Sequence, residues 1–251
     1  ICAYGHFLGS FISAHETWDQ HFRCCIYIFV QCACDVCLYL ICISFFFFSI
    51  LSGSYTLSGG ISYIQCSVSN FISRRDGGVP SSPENIFMTS GSQRSLMLVL
   101  KLLDHNQASL PTGVLTAVPA YSSFKMMLQW LGAAIVPYYL DEEQGWAMEV
   151  EELRRALQAS KGVCNTVALY VINPGNPTGH VQSRKCIEKV IRFAAEERLF
   201  LMADEVYQES VFGEGSEFFS YKKVLSEMGP PLSHTVELAS FHSASKGFMG
   251  E

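Results

Sequence analysis

From Gly53 onward, short apolar runs alternate with longer amphipathic ones, and most of the apolar runs stop at a polar or proline-bearing turn. Val167–Ile172 is apolar throughout and ends at Asn173-Pro174. Ser183–Arg198 follows, with Ile187, Val190, Ile191 and Ala194 at helical spacing, and then Phe200–Ala203 is apolar again. A strand that is apolar on both faces needs cover on both faces, and the strand–helix–strand order supplies it with helices. The fold class expected is therefore α/β: a mostly parallel sheet sandwiched by helices. The same reading places strands at Ile86–Thr89, Gly113–Val118, Ala134–Tyr139 and Val236–Phe241. It places helices at Ser92–Leu103 with Ser92 as the cap, and at Tyr121–Leu131, Glu149–Ala159 and Phe219–Met228. In sheets of this kind ligands bind outside the carboxyl ends of the strands. Asn173, Asp204 and Ser243 each fall just after a strand, so three polar groups are expected on one rim.

The first 52 residues do not share this pattern. They contain four charged side chains (Glu16, Asp19, Arg23 and Asp35), seven of the ten cysteines and no proline. Residues 24–51 are almost continuously apolar and long enough to span a bilayer, for which about 20 residues suffice. Gln31 and Asp35 count against a span, because an aspartate near its centre costs about 2.5 kcal/mol or more. No basic stretch precedes the run and no small-residue cleavage site follows, which disfavours a signal peptide. Three readings stay open: translated pyrimidine-rich non-coding sequence, a membrane-spanning segment, or a buried core helix. Residues 1–52 are accordingly left unassigned, and 53–251 are read as one incomplete domain.

A net charge of −6 argues against a nucleic-acid partner. Cys32, Cys34 and Cys37 lack a second Cys/His pair at zinc spacing, and Cys66, Cys164 and Cys186 stand apart in apolar or helical contexts. Neither a metal site nor a disulfide framework is expected. His242 reads as a packing residue, and the Gly59-Gly60 and Gly77-Gly78 pairs read as turns.

Chemistry concentrates in three stretches: Asn173-Pro174-Gly175-Asn176-Pro177-Thr178-Gly179, Ala203-Asp204-Glu205-Val206-Tyr207, and Ser243-Ala244-Ser245-Lys246-Gly247. With Arg74-Arg75-Asp76-Gly77-Gly78-Val79-Pro80, they make residues 53–251 resemble the class I pyridoxal-phosphate aminotransferases, and among these the alanine aminotransferases. The resemblance implies the large domain of a type I pyridoxal-phosphate transferase, truncated at both ends, with pyridoxal 5'-phosphate as cofactor. It further implies amino-acid and 2-oxo-acid substrates (L-alanine and 2-oxoglutarate), a homodimer to which Tyr55 contributes, and a cytoplasmic or mitochondrial-matrix location.

The resemblance also assigns roles. Lys246 carries the cofactor and then moves the proton at the substrate α-carbon, which needs an amine whose pKa is lowered by burial beside other cations. Asp204 pairs with the ring nitrogen, Tyr207 and Asn176 contact the 3'-oxygen, and Tyr121 stacks on the ring. Ser92, Gln93, Ser243 and Ser245 surround the phosphate at a helix N-terminus. Gln93 stands where relatives have serine, and Arg94 follows it. The phosphate-binding and carboxylate-binding arginines of such enzymes would lie beyond Glu251, so weak or absent turnover is expected of this polypeptide alone. Three rivals remain at this stage: another enzyme of the same fold (a different aminotransferase or a carbon–sulfur lyase), a non-catalytic membrane-anchored or dimer-decoy fragment built on residues 24–51, and a chain that forms no stable protein because half of a two-domain fold leaves apolar surface exposed.

Overall fold

The computed structural model describes residues 58–104 and 109–246, together with the backbone of a strand at 26–30. Seven strands form one sheet: β1 (Ile26–Val30), β2 (Ile86–Thr89), β3 (Thr112–Val118), β4 (Ala134–Tyr139), β5 (Asn165–Ile172), β6 (Phe200–Asp204) and β7 (Leu238–Phe241). Their spatial order is β2-β1-β7-β6-β5-β3-β4, and every described pairing is parallel. The helices are α1 (Ser62–Arg75), α2 (Ser92–Leu103), α3 (Ser122–Leu131), α4 (Val150–Ser160), α5 (Arg184–Glu196), α6 (Tyr221–Met228) and the short α7 (Leu232–Thr235).

Strand residues alternate between two cores. Leu115, Leu169, Val171, Leu201, Ala203 and Leu238 pack with Leu153 of α4, Ile187 and Val190 of α5 and Tyr221 of α6. Val114, Ala168, Tyr170, Met202, Ala239 and Phe241 pack with Leu96 and Val99 of α2 and Phe124 and Leu128 of α3. This is the two-face burial that the continuous apolar runs required, and each fully buried Leu, Ile or Phe contributes about 1.5–3 kcal/mol. Position within a strand therefore decides the face: Met202 and Asp204 belong to one side of β6, and Ala203 to the other.

β4 lies at the sheet edge, where Pro137 needs to complete only one ladder. Gly132 ends α3 at φ 72°, with its own N–H and that of Ala133 returning to Gln129 and Leu128, a left-handed stop that suits glycine.

Two expectations are corrected. The N-cap of α2 is Gly91 at φ 136°, and no side chain caps this helix, so Ser92 is its first helical residue. A glycine reaches that backbone region without strain, and the turn out of β2 needs it. Residues 26–30, inside the long apolar run, form a strand between β2 and β7 rather than part of a continuous helix. The other residues of 1–57, Tyr55 among them, lie outside the described residues. No helix among the described residues is long and apolar enough to cross a membrane.

Candidate functional site

Parallel strands bring all their carboxyl ends to one rim, and the sequence-selected residues gather there. Ser92 and Gln93 follow β2, Tyr121 follows β3, Asn173 and Asn176 follow β5, Asp204 ends β6 with Tyr207 in the next turn, and Ser243, Ser245 and Lys246 follow β7. The Cα of Asp204 pairs with Ile172 on one side and Phe241 on the other, so it sits between the other two polar exits.

Asp204 is buried, and the Tyr170 hydroxyl donates to its Oδ2 at 2.7 Å. The Val206 N–H reaches Oδ1 at a long 3.4 Å. No ion pair to Asp204 occurs among the described residues, and burial pushes its carboxyl up to about 6. A desolvated carboxylate with one good hydrogen bond lacks a counter-charge, and a cationic N–H placed on it would supply one. Tyr170 stacks on Phe124 with ring centroids 3.6 Å apart, which fixes the hydroxyl. Tyr121 packs half-buried against the same cluster.

The Asn173–Gly179 loop is held at both ends. Asn173 donates its backbone N–H to the Asp204 carbonyl at 2.9 Å, and its Oδ1 accepts from the Gln182 N–H at 2.9 Å. Gly175 and Gly179 close the loop through Gly179 N–H to Gly175 O at 2.9 Å and Gly175 N–H to His180 O at 2.8 Å. The restrained loop aims Asn176 at Tyr207, with Nδ2 and the phenol oxygen 3.4 Å apart.

At the start of α2, the first backbone N–H groups have no partner within the helix. Gly91 leaves this point open, because a Cβ added there would meet nothing within 4 Å. Gln93 turns its amide to the Tyr121 hydroxyl at 2.5 Å, so it ties the helix start to Tyr121. The Ser243 hydroxyl accepts from the Ser245 N–H at 3.1 Å and shapes the turn before Lys246. Lys246 is exposed on the rim. The burial expected for it is not found, because it lies in a bend beyond the last paired residue of β7.

Sequence reasoning missed Tyr170, and it missed a buried polar cluster behind the rim. There Arg75 grips Asp76 through Nε at 2.8 Å and Nη2 at 3.0 Å, and Ser220 donates to Asp76 Oδ1 at 2.7 Å. Lys222 donates to the Pro80 carbonyl at 2.7 Å. Glu205 accepts from the Tyr221 N–H at 2.7 Å, and burial raises it to about 7 despite the nearby Arg75. His242 packs over Phe71 with Nδ1 3.3 Å from the Glu205 carbonyl oxygen, and burial lowers it to about 4. It is a packing residue, as expected. Cys66, Cys164 and Cys186 are free thiols, and no metal-ligating group occurs among the described residues.

Against known proteins, the family described as "Aminotransferase class I and II" matches residues 53–250. Alanine aminotransferase 1 of Homo sapiens is 55% identical over 199 residues, covering 79% of this chain and 40% of that protein. Alanine aminotransferase 2 of Xenopus tropicalis is 56% identical over 199 residues, covering 79% and 38%. Among solved structures, N-succinyldiaminopimelate aminotransferase of Mycobacterium tuberculosis superposes with a TM-score of 0.63 at 25% identity, covering 77% of this chain and 46% of that one. The chain thus spans about 40% of the length of the curated relatives it matches.

Proposed function

The chain belongs to the class I and II aminotransferase family, and on that premise we propose that its strand-end rim holds pyridoxal 5'-phosphate for amino transfer between L-alanine and 2-oxoglutarate. The observation that carries the cofactor reading is Asp204: a buried carboxyl with no cation beside it among the described residues, set by Tyr170 at the centre of the rim. The choice of alanine follows from the identity of 53–56% to proteins named alanine aminotransferase. A homodimer and the two substrates come with the family reading.

The residues present fit the group. Asp204 would hold a proton on the ring nitrogen, and Tyr207 with Asn176 would share the 3'-oxygen. Tyr121 would lie against the ring face, and the N–H groups following Gly91, with Ser92, Ser243 and Ser245, would receive the phosphate. Gln93 would act by holding Tyr121. Lys246 would carry the cofactor on its amine and, once free, take the proton from the substrate α-carbon and deliver it to the cofactor's C4' carbon. When bound, pyridoxal 5'-phosphate supplies an electron sink for the charge left at that carbon. A positive charge beside Asp204 would bring its pKa back down and keep the carboxylate ionised at neutral pH.

The test is to add pyridoxal 5'-phosphate, reduce with borohydride and map the labelled peptide. Label on Lys246, lost together with the visible absorbance in Lys246→Ala, is the expected result. A folded protein whose label lies elsewhere, or that takes none, overturns the reading.

A further inference from the structure

The turn after β6 has two working faces. Asp204 and Tyr207, three positions apart, face Tyr170 and Asn176. Glu205 and Gln208, also three apart, face the buried cluster between the end of α1 and the start of α6. The parity of β6 sets this division: Met202 packs in one core and Ala203 in the other, while Asp204 bonds Tyr170 of the first core and Glu205, just past the strand, bonds the Tyr221 N–H of the second.

Gln208 is the link at the far end of the turn. Its backbone N–H donates to the Glu205 carbonyl at 3.1 Å, and its Oε1 accepts from Arg75 Nη1 at 2.7 Å. Arg75 cannot drift. Its fork is bidentate on Asp76, its Nη1 lies 4.0 Å from Glu205 Oε2, and its guanidinium sits 5.9 Å over the Phe218 ring. Asp76 is held in turn by Ser220, with Lys222 Nζ 3.8 Å away. A planar guanidinium fixed at this many points is a rigid anchor. Tyr207, by contrast, is half-buried, and its hydroxyl meets Asn176 only at 3.4 Å. Its position is therefore set by the backbone of its turn rather than by its own contacts.

We propose that Gln208, anchored on Arg75, is a positioning residue for Tyr207: it holds the turn so that the Tyr207 hydroxyl meets the cofactor beside Asn176. This rests on the cofactor reading of Tyr207 given above. The amide touches no ligand itself and acts through the tyrosine that precedes it.

A double-mutant cycle on the 251-residue chain tests this, with pyridoxal 5'-phosphate affinity read by absorbance titration. Gln208→Met keeps the length of the side chain and removes the acceptor for Arg75. It should weaken affinity by about tenfold, the lower end for groups that orient a ligand from behind in metal sites. Tyr207→Phe should also weaken it, and the double variant should be no weaker than Tyr207→Phe alone. A Gln208→Met loss that is undiminished in the Tyr207→Phe background would show a general structural role and overturn the inference. No loss with Gln208→Met, while Tyr207→Phe does lose affinity, overturns it alone. A parent chain that binds no cofactor, or an unchanged Tyr207→Phe, overturns the cofactor reading of Tyr207 and this inference together. Should Gln208→Met not fold, Gln208→Asn, which draws the acceptor back by one methylene, takes its place in the cycle. Gln208→Glu, which keeps an oxygen facing Arg75, should restore the parent affinity.

Discussion

The molecule uses arginine–carboxylate pairs in two settings. On the surface, Arg154 of α4 meets Glu196 of α5 at 2.6 Å, with Glu197 at 3.5 Å and Glu151 at 3.8 Å, and Arg155 meets Glu152 at 2.6 Å. Behind the rim, Arg75 meets Asp76 at 2.8 Å. The distances are alike and the environments are not: the Arg154 side chain is 46% exposed and that of Asp76 only 1%. Water and salt screen the first set, so those pairs add little to folding. The second set has given up its water, so each buried charge depends on its partners. Proximity alone does not rank such contacts, and the buried set does what the exposed one cannot: it fixes the backbone from which the rim projects.

The largest test of this contrast is Asp76→Ala. It leaves the Arg75 and Lys222 charges without the carboxylate and the Ser220 hydroxyl without its acceptor, and should cost about 3–5 kcal/mol in denaturant unfolding. A loss below about 1 kcal/mol would mean that the buried cluster behaves like a surface one.

A smaller effect is expected for Glu205→Gln, and it depends on pH. The unfolded carboxyl titrates near 4.5 and the folded one near 7, so the folded state keeps the proton over that interval. The stability from this residue is fully present below about 4.5 and is lost as pH rises through about 7. Glutamine has no such slope, so the variant should gain on the parent by about 1 kcal/mol or more between mildly acidic and mildly alkaline pH. Asp204 and His242 titrate in both proteins and drop out of the difference. Parallel pH–stability curves would show that Glu205 titrates at its ordinary value.

The smallest effect is reserved for Arg154→Ala. It should leave the unfolding midpoint at the parent's value at both low and high salt. A clear drop that fades with added salt would give the surface network a weight this structure denies it.

Much of the architecture was legible because its signals were local. Ile86–Thr89 and Ala134–Tyr139 form strands over the residues expected, and the later strands and helices differ only at their ends, save the one-turn α7, which was not expected. α1 was less legible: Ile64, Val68, Phe71 and Ile72 recur at helical spacing and pack together, but Gln65 and Ser69 are buried beside them and no side chain caps the start of the helix. Tyr170 was hidden because it completes an apolar strand, and only the neighbouring strand shows that its hydroxyl serves Asp204. The Arg75–Gln208 bond joins residues 133 positions apart, a separation at which spacing along the chain carries no signal. The rim residues were found through motif chemistry, and the cluster behind them required the folded chain.

The turn after β6 also limits how chains of this kind can diverge. Loop length is ordinarily free to drift at a protein surface. Here one residue added before Tyr207 would move the phenol into the place that faces the guanidinium and push the carboxamide out to the exposed place of Glu209. Substitutions can accumulate in such a loop, but insertions and deletions must come as compensated pairs or not at all.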